Sequence, residues 1–212
     1  MYQRLYPGNP KLQCLICGKE NREIDYLYFY FHPQMICGDC YSKFHILYKH
    51  ERIADLRVLI LYEYDDYFRG LLFRYKASYD HELRKIFLAP FKDLLHRKYK
   101  DYVIVPAPSS KLANEIRGFK PMLEIAKELG NPVIDCLYKI DEYKQSEHHY
   151  IERKNIQEHV QIKDIDLKNQ KVLWIDDVAT SYCTMKTCIA LLKSKHPKCI
   201  QVLLLSKRLK RE

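Results

Sequence analysis

The sequence predicts an α/β domain, a parallel sheet with helices on both faces, preceded by a small metal-binding module. Three observations carry this expectation. Short apolar segments at 58–62, 102–105, 172–175 and 199–205 alternate with stretches of helical periodicity, as strands buried on both faces by crossover helices do. Two Cys-x2-Cys pairs, Cys14/Cys17 and Cys37/Cys40, lie near the start with nineteen residues between them. The apolar run at 172–175 ends in Asp176-Asp177, and a hydroxyl-bearing turn then opens a helix.

The first element is the cysteine module, and residues 1–55 are assigned to it. Two thiol pairs at this spacing match a tetrahedral four-thiolate zinc site, with Gly18 and Gly38 supplying permissive turns. Between the pairs, the aromatic run 24–31 reads as a strand or hairpin arm. So short a module has little core of its own, so a metal would supply much of its folding energy. Disulfides and a redox Cys-x2-Cys are the competing readings; the first is disfavoured in a reducing compartment and the second needs only one pair. Four cysteines close the coordination sphere, so the metal would be structural. His32 and His45 read as ordinary surface or packing histidines.

Residues 56–212 are assigned to the main domain. Residues 53–64 read as a linker running into a strand, and Tyr64, Tyr67, Phe68, Leu71, Leu72 and Tyr75 follow with helical spacing. Leu83, Ile86, Phe87, Phe91, Leu94 and Leu95 mark a second helix that Pro90 interrupts. A strand at 102–105 stops at Pro106-Ala107-Pro108, and Ser109-Ser110-Lys111 forms a loop. An amphipathic stretch from Phe119 to Leu129 precedes a strand candidate at 133–139. The polar segment 141–158 suits a loop running into a helix, and 199–205 closes the sheet.

Composition narrows the setting. The net charge of +9, from 36 basic and 27 acidic residues, suggests a polyanionic partner. Basic residues cluster at His96-Arg97-Lys98-Tyr99-Lys100 and Lys207-Arg208-Leu209-Lys210-Arg211, though solvated helix ends and a frayed tail account equally well for either cluster. Most of the eighteen tyrosines are expected in the core or in strands, and a few beside Lys or Arg could stack on unpaired bases. No apolar stretch approaches bilayer length and the start has no apolar signal core, so the expected location is the cytoplasm.

The acidic run carries the chemistry. In a strand–loop–helix unit, backbone N–H groups at the helix start favour an anion. Asp176 and Asp177 would accept hydrogen bonds from sugar hydroxyls or hold a divalent cation, leaving Thr180, Ser181 and Thr184 for a phosphate. An ordinary solvated turn is the bland alternative.

The run Asp176-Asp177-Val178-Ala179-Thr180-Ser181-Tyr182-Cys183-Thr184 resembles the phosphoribosyl-pyrophosphate (PRPP) loop of type I phosphoribosyltransferases. Tyr182 stands where that loop has glycine; if the position needs a positive φ, a tyrosine there is strained. The cysteine module, then Phe68-Arg69-Gly70-Leu71-Leu72-Phe73-Arg74-Tyr75-Lys76, Val103-Ile104-Val105-Pro106-Ala107-Pro108, Arg117-Gly118-Phe119 and the acidic loop together resemble the ComF family, in particular its ComFC-type late competence members. Lys120-Pro121 departs from the family's Asn-Gln, whereas Gln145 and Arg153-Lys154-Asn155 fit its pattern.

The resemblance implies a type I phosphoribosyltransferase-like fold and a bacterial cytoplasmic competence factor for DNA uptake in natural transformation. Single-stranded DNA and a helicase-like competence ATPase are the implied partners. Arg97, Lys98, Lys100, Arg117, Arg153 and Lys154 are the candidates for contact with nucleic acid. PRPP, or a ribose 5-phosphate-like ligand with magnesium, would sit over residues 176–184, with its pyrophosphate near Ser109, Ser110 and Lys111. If transfer chemistry survives, Asp176, Asp177 and Lys111 would carry it electrostatically, and residues 145–153 could close over the site. Tyr182 argues against efficient turnover. The alternatives are an active phosphoribosyltransferase and a PRPP-sensing regulator that binds nucleic acid.

Overall fold

The computed structural model of the chain describes residues 13–20, 35–140, 160–179 and 182–209. In chain order the elements are α1 (Gly38–Tyr41), β1 (Ile46–Ile53), β2 (Leu56–Glu63), α2 (Asp66–Ala77), two 3₁₀ turns (His81–Lys85 and Ala89–Phe91), α3 (Lys92–Tyr99), β3 (Tyr102–Pro106), α4 (Lys111–Arg117), α5 (Pro121–Lys127), β4 (Leu137–Lys139), β5 (Val160–Ile162), β6 (Lys171–Ala179), α6 (Cys183–Lys193) and β7 (Cys199–Lys207).

Five strands form the main sheet in the order β1-β2-β7-β6-β3, while β4 and β5 pair as a separate antiparallel ribbon. Strands β2, β7, β6 and β3 run parallel, and β1 is antiparallel to β2. The fold is α/β, with a mixed and mostly parallel sheet in place of the wholly parallel one expected. Residues 58–62 of β2, 172–175 of β6 and 202–206 of β7 are all buried. Successive strand residues face opposite sides, so unbroken burial means that both faces are covered.

Several expectations are corrected in detail. Residues 53–64 are half of a hairpin rather than a linker, turning at Ala54-Asp55. Strand β1 was missed because its Lys49-His50-Glu51-Arg52 segment is polar, as edge strands that resist pairing with other chains often are. β1 is a strand of the main sheet. Gly38 opens α1, and only Gly18 of that pair takes a positive φ (71°). Lys111 belongs to a helix rather than a loop: Ser110 caps α4 by accepting from the Ala113 N–H at 3.4 Å, and Gly118 ends it in the left-handed region at φ 81°. The candidate strand at 133–139 is a single bridge, Ile104 to Val133, followed by the short β4. Pro90 does interrupt its helix, leaving two 3₁₀ turns before α3. The expected elements at 24–31 and 141–158 lie outside the described residues.

Tyrosine is a core residue here. Tyr62, Tyr75 and Tyr99 are fully buried; the Tyr62 hydroxyl donates to the Phe87 carbonyl at 3.1 Å and that of Tyr75 to the Pro121 carbonyl at 2.9 Å. Phe44, Phe68 and Phe91 pack their rings against Tyr62, and Phe87 joins Phe68 to Tyr75. Among the described residues, no helix is long and apolar enough to cross a membrane.

Candidate functional site

The knuckle around Cys14 and Cys17 is closed by the Gly18 N–H donating to the Cys14 carbonyl at 2.8 Å. Cys37 and Cys40 straddle the start of α1, and the Leu15 N–H donates to the Met35 carbonyl at 2.8 Å, holding the two segments together. The Sγ atoms of Cys14, Cys17, Cys37 and Cys40 all lie within 4.8 Å of one another, and all four are free thiols. Burial and the neighbouring Cys37, Cys17 and Cys14 push Cys40 up to about 12. Burial also acts to raise Cys14, but the N–H groups of Cys37, Cys17 and Ile16 outweigh it and bring Cys14 down to about 7. Four free thiols converging this closely match the donor set of a bound cation, and the cluster is compatible with a metal ion such as zinc. His45 is not part of it: its Nδ1 lies 2.7 Å from Asp65.

The module is docked on α2. Tyr67 donates its hydroxyl to the Cys40 carbonyl at 2.9 Å, and Arg74 donates to the Ile16 carbonyl at 2.8 Å while pairing with Asp80. Two residues beyond Arg74, Lys76 forms an ion pair with Asp177.

That pair lies at the carboxyl ends of the parallel strands. The register sets Pro106 opposite Ile175, so the turn after β3 and the acidic residues of β6 share one end of the sheet, where ligands of such sheets bind. Strand β6 continues to Ala179, so Asp176 and Asp177 are strand residues and not part of the turn. Asp176 accepts from the Asp177 N–H at 2.9 Å, and the Ser206 hydroxyl donates to the Asp177 carbonyl at 2.9 Å. Val178 pairs with Ser206 and Ala179 with Lys207. Thr180 and Ser181 lie outside the described residues. Tyr182 adopts φ 56°, in the left-handed region, immediately before α6. Its hydroxyl is hydrogen-bonded to Lys207; burial disfavours that ammonium, but Glu51 at 2.5 Å and Tyr182 hold its pKa above the ordinary lysine value. Cys183 and Thr184 are the first two residues of α6.

A cleft of about 570 Å³ opens beside this end, lined by Ser109, Lys111, Phe119, Lys120, Tyr138 and Lys139 among others. Ser109 donates to Asn114 at 2.6 Å, Ser110 is occupied as the helix cap, and Lys111 is exposed, 3.9 Å from Glu115. Asp176 and Asp177 are not among its lining residues. Three basic groups link the acidic pair to the cleft. Lys76 contacts Asp177, the Arg117 Nε donates to the Lys76 carbonyl at 2.7 Å, and Lys139 acts on Lys76 electrostatically from the cleft wall. Burial, reinforced by Arg117 and Lys139 and opposed by Asp176, holds Lys76 at about 8. Contact with Asp177 favours the charged ammonium.

The structure splits the nucleic-acid candidates. Arg97 and Lys98 end α3, with Lys100 just beyond. Lys98, 3.0 Å from His50, lines a separate 310 Å³ depression with Arg57 and Gln201 near the amino ends of β2 and β7. Arg117 lies instead at the carboxyl-end site, and Arg153 and Lys154 are outside the described residues. Sequence reasoning gave Lys76 no role. A lysine in the last turn of a helix reads as a solvated end that complements the dipole, and only the parallel register reveals the carboxylate it meets.

No family model matches the chain. It is 25% identical over 209 residues to the competence protein ComFC of Bacillus subtilis (strain 168), covering 84% of this chain and 87% of that protein. It is 30% identical over 135 residues to the competence protein ComFC of Streptococcus pneumoniae, covering 63% of this chain and 60% of the other. Similar solved structures include a hypoxanthine phosphoribosyltransferase from Staphylococcus aureus (TM-score 0.40, 18% identity, 61% of this chain and 68% of that one). A purine phosphoribosyltransferase from Pyrococcus horikoshii Ot3 is another (TM-score 0.40, 18% identity, 58% and 73%).

Proposed function

We propose that this chain, a homologue of the ComFC competence proteins, acts in the cytoplasm during natural transformation by handling incoming single-stranded DNA, with a helicase-like ATPase as partner. The observation that carries the reading is the likeness to the Bacillus subtilis competence protein through 84% of the chain. The excess of basic over acidic residues supports binding through phosphates, with the salt dependence and tolerance of sequence such binding brings. A salt series of mobility shifts with an unstructured oligonucleotide tests it: retention at low salt that weakens steeply with added salt is expected. Absence of binding at low salt, together with failure to restore transformation in a strain lacking its own ComFC, overturns it.

The carboxyl-end site binds a ribose 5-phosphate-type ligand or PRPP in this reading, with the pyrophosphate near Ser109, Ser110 and Lys111, the first and last of which line the cleft. No nucleophile has been identified in the sequence. Tyr182 argues against efficient turnover, because it puts a side chain where the backbone of a phosphate loop usually approaches its ligand. Calorimetric titration with PRPP distinguishes binding from its absence, and assay of pyrophosphate release distinguishes binding from transfer.

A structural zinc ion is assigned to Cys14, Cys17, Cys37 and Cys40, whose four sulfurs fit a closed tetrahedral site.

A further inference from the structure

The acidic pair does not fit magnesium. Strand β6 runs through both residues, so the side chains of Asp176 and Asp177 leave opposite faces of the sheet and diverge. One oxygen of Asp176 is taken by the Asp177 N–H at 2.9 Å. Asp177, 13% exposed, is in contact with the Lys76 ammonium. Among the described residues, the four cysteines are the only group of three or more metal-ligating side chains close enough to share an ion.

We infer that Lys76 is a built-in counter-ion that compensates Asp177 in place of a divalent metal, so that the carboxyl-end site accepts a sugar phosphate without magnesium. Its ligand half rests on the ribose-phosphate reading above; the counter-ion half does not. Lys76 is held in place for this role. The Arg117 Nε grips its carbonyl at 2.7 Å, and the preceding turn is fixed by Arg74 to the Ile16 carbonyl and to Asp80, both at 2.8 Å. Arg117 and Lys139 act electrostatically on the same ammonium, so positive charge gathers where α2 meets Asp177, which favours an anion there. A divalent ion at Asp177 would have to displace the tethered Lys76 ammonium and would then hold one protein carboxylate, with every other ligand left to water or the bound phosphate.

Manganese titration followed by electron paramagnetic resonance tests the counter-ion half directly. The wild type takes up no Mn²⁺ at this end of the sheet. Lys76→Met creates one site by freeing Asp177, and adding Asp177→Asn abolishes it. Titration with ribose 5-phosphate in metal-free buffer tests the ligand half. Wild-type affinity is unchanged by added magnesium, and Lys76→Met loses about tenfold, the scale of one charge-assisted contact, and recovers with magnesium. Lys76→Arg keeps metal-free binding, which separates loss of charge from loss of structure. A wild-type Mn²⁺ site that disappears in Asp177→Asn, or a wild-type affinity for ribose 5-phosphate that rises tenfold with magnesium, overturns the inference. If ribose 5-phosphate binds no variant under any condition, the ligand half and the ribose-phosphate reading fall together, while the wild-type manganese result still decides the counter-ion role.

Discussion

The cysteine module and the carboxyl end of the sheet both gather negative charge, and they compensate it by opposite means. In the module, four sulfurs converge within 4.8 Å, and burial with neighbouring thiols pushes Cys40 up to about 12. Arg74 reaches the Ile16 carbonyl between the first two cysteines rather than a sulfur, so the four thiols together offer their donors to a metal ion. At the carboxyl end, two carboxylates diverge from one strand, and the chain supplies its own cation from α2. Convergent donors make a metal site; divergent ones with a tethered lysine make a site for an anion.

The largest effect expected from breaking this contrast is at the module. Protein purified under reducing conditions should carry about one zinc per chain, and chelation or Cys40→Ser should remove it with a large fall in melting temperature, since structural zinc contributes on the order of 10 kcal/mol to such folds. Metal analysis with calorimetry checks this, and an unchanged melt after complete stripping would falsify the structural role. Next comes Lys76→Met, expected to cost about 1–3 kcal/mol because a half-buried carboxylate loses its partner and water relieves part of the loss. The double variant with Asp177→Asn should regain much of that in denaturant melts; additivity of the two costs would show that the pair does not interact.

Tyr182→Gly should produce a smaller and mixed effect. Release from the left-handed region gains about 1–2 kcal/mol, and loss of the Lys207 hydrogen bond and of packing offsets it. Stability should therefore change little, whereas affinity for ribose 5-phosphate should rise several-fold; weaker binding would mean that the tyrosine serves the ligand. The smallest effect concerns pH. Lys76 at about 8 binds protons less readily than the unfolded lysine at 10.5, so between those values the unfolded state holds more protons and Lys76 adds a rise in stability with pH. The difference in melting temperature between wild type and Lys76→Met should therefore widen as pH rises across that window. A difference that stays constant from pH 8 to 10.5 would place the Lys76 value elsewhere.

Features that depend on local spacing were legible in the sequence. The two Cys-x2-Cys pairs, the buried helical face of α2 and the strands at 102–105, 172–175 and 199–205 were all read from patterns of a few residues. The interruption at Pro90 was equally plain. Features set by the meeting of distant segments were not. Lys76 and Asp177 lie 101 positions apart, and only the parallel pairing of β6 with its neighbours fixes the end at which they meet. Strand β1 escaped notice because polar edge residues hide its alternation, and α4 because prolines and serines before it read as loop. The basic candidates looked like one class in composition, but the fold sends Arg117 to the carboxyl end and Lys98 toward the amino ends of the strands. Tyr182 shows the reverse case. Its departure from the loop's usual glycine flagged a strained position in the sequence, and the backbone at φ 56° is that position.

Helix α2 touches both regions through side chains nine residues apart. Tyr67 holds the Cys40 carbonyl near its start, and Lys76 holds Asp177 at its end, a span of roughly 14 Å. It therefore works as a lever with one arm resting on the cysteine knuckles. A lesion in the module should then appear in a genetic screen as a ligand-binding defect, although no cysteine lies in the cleft.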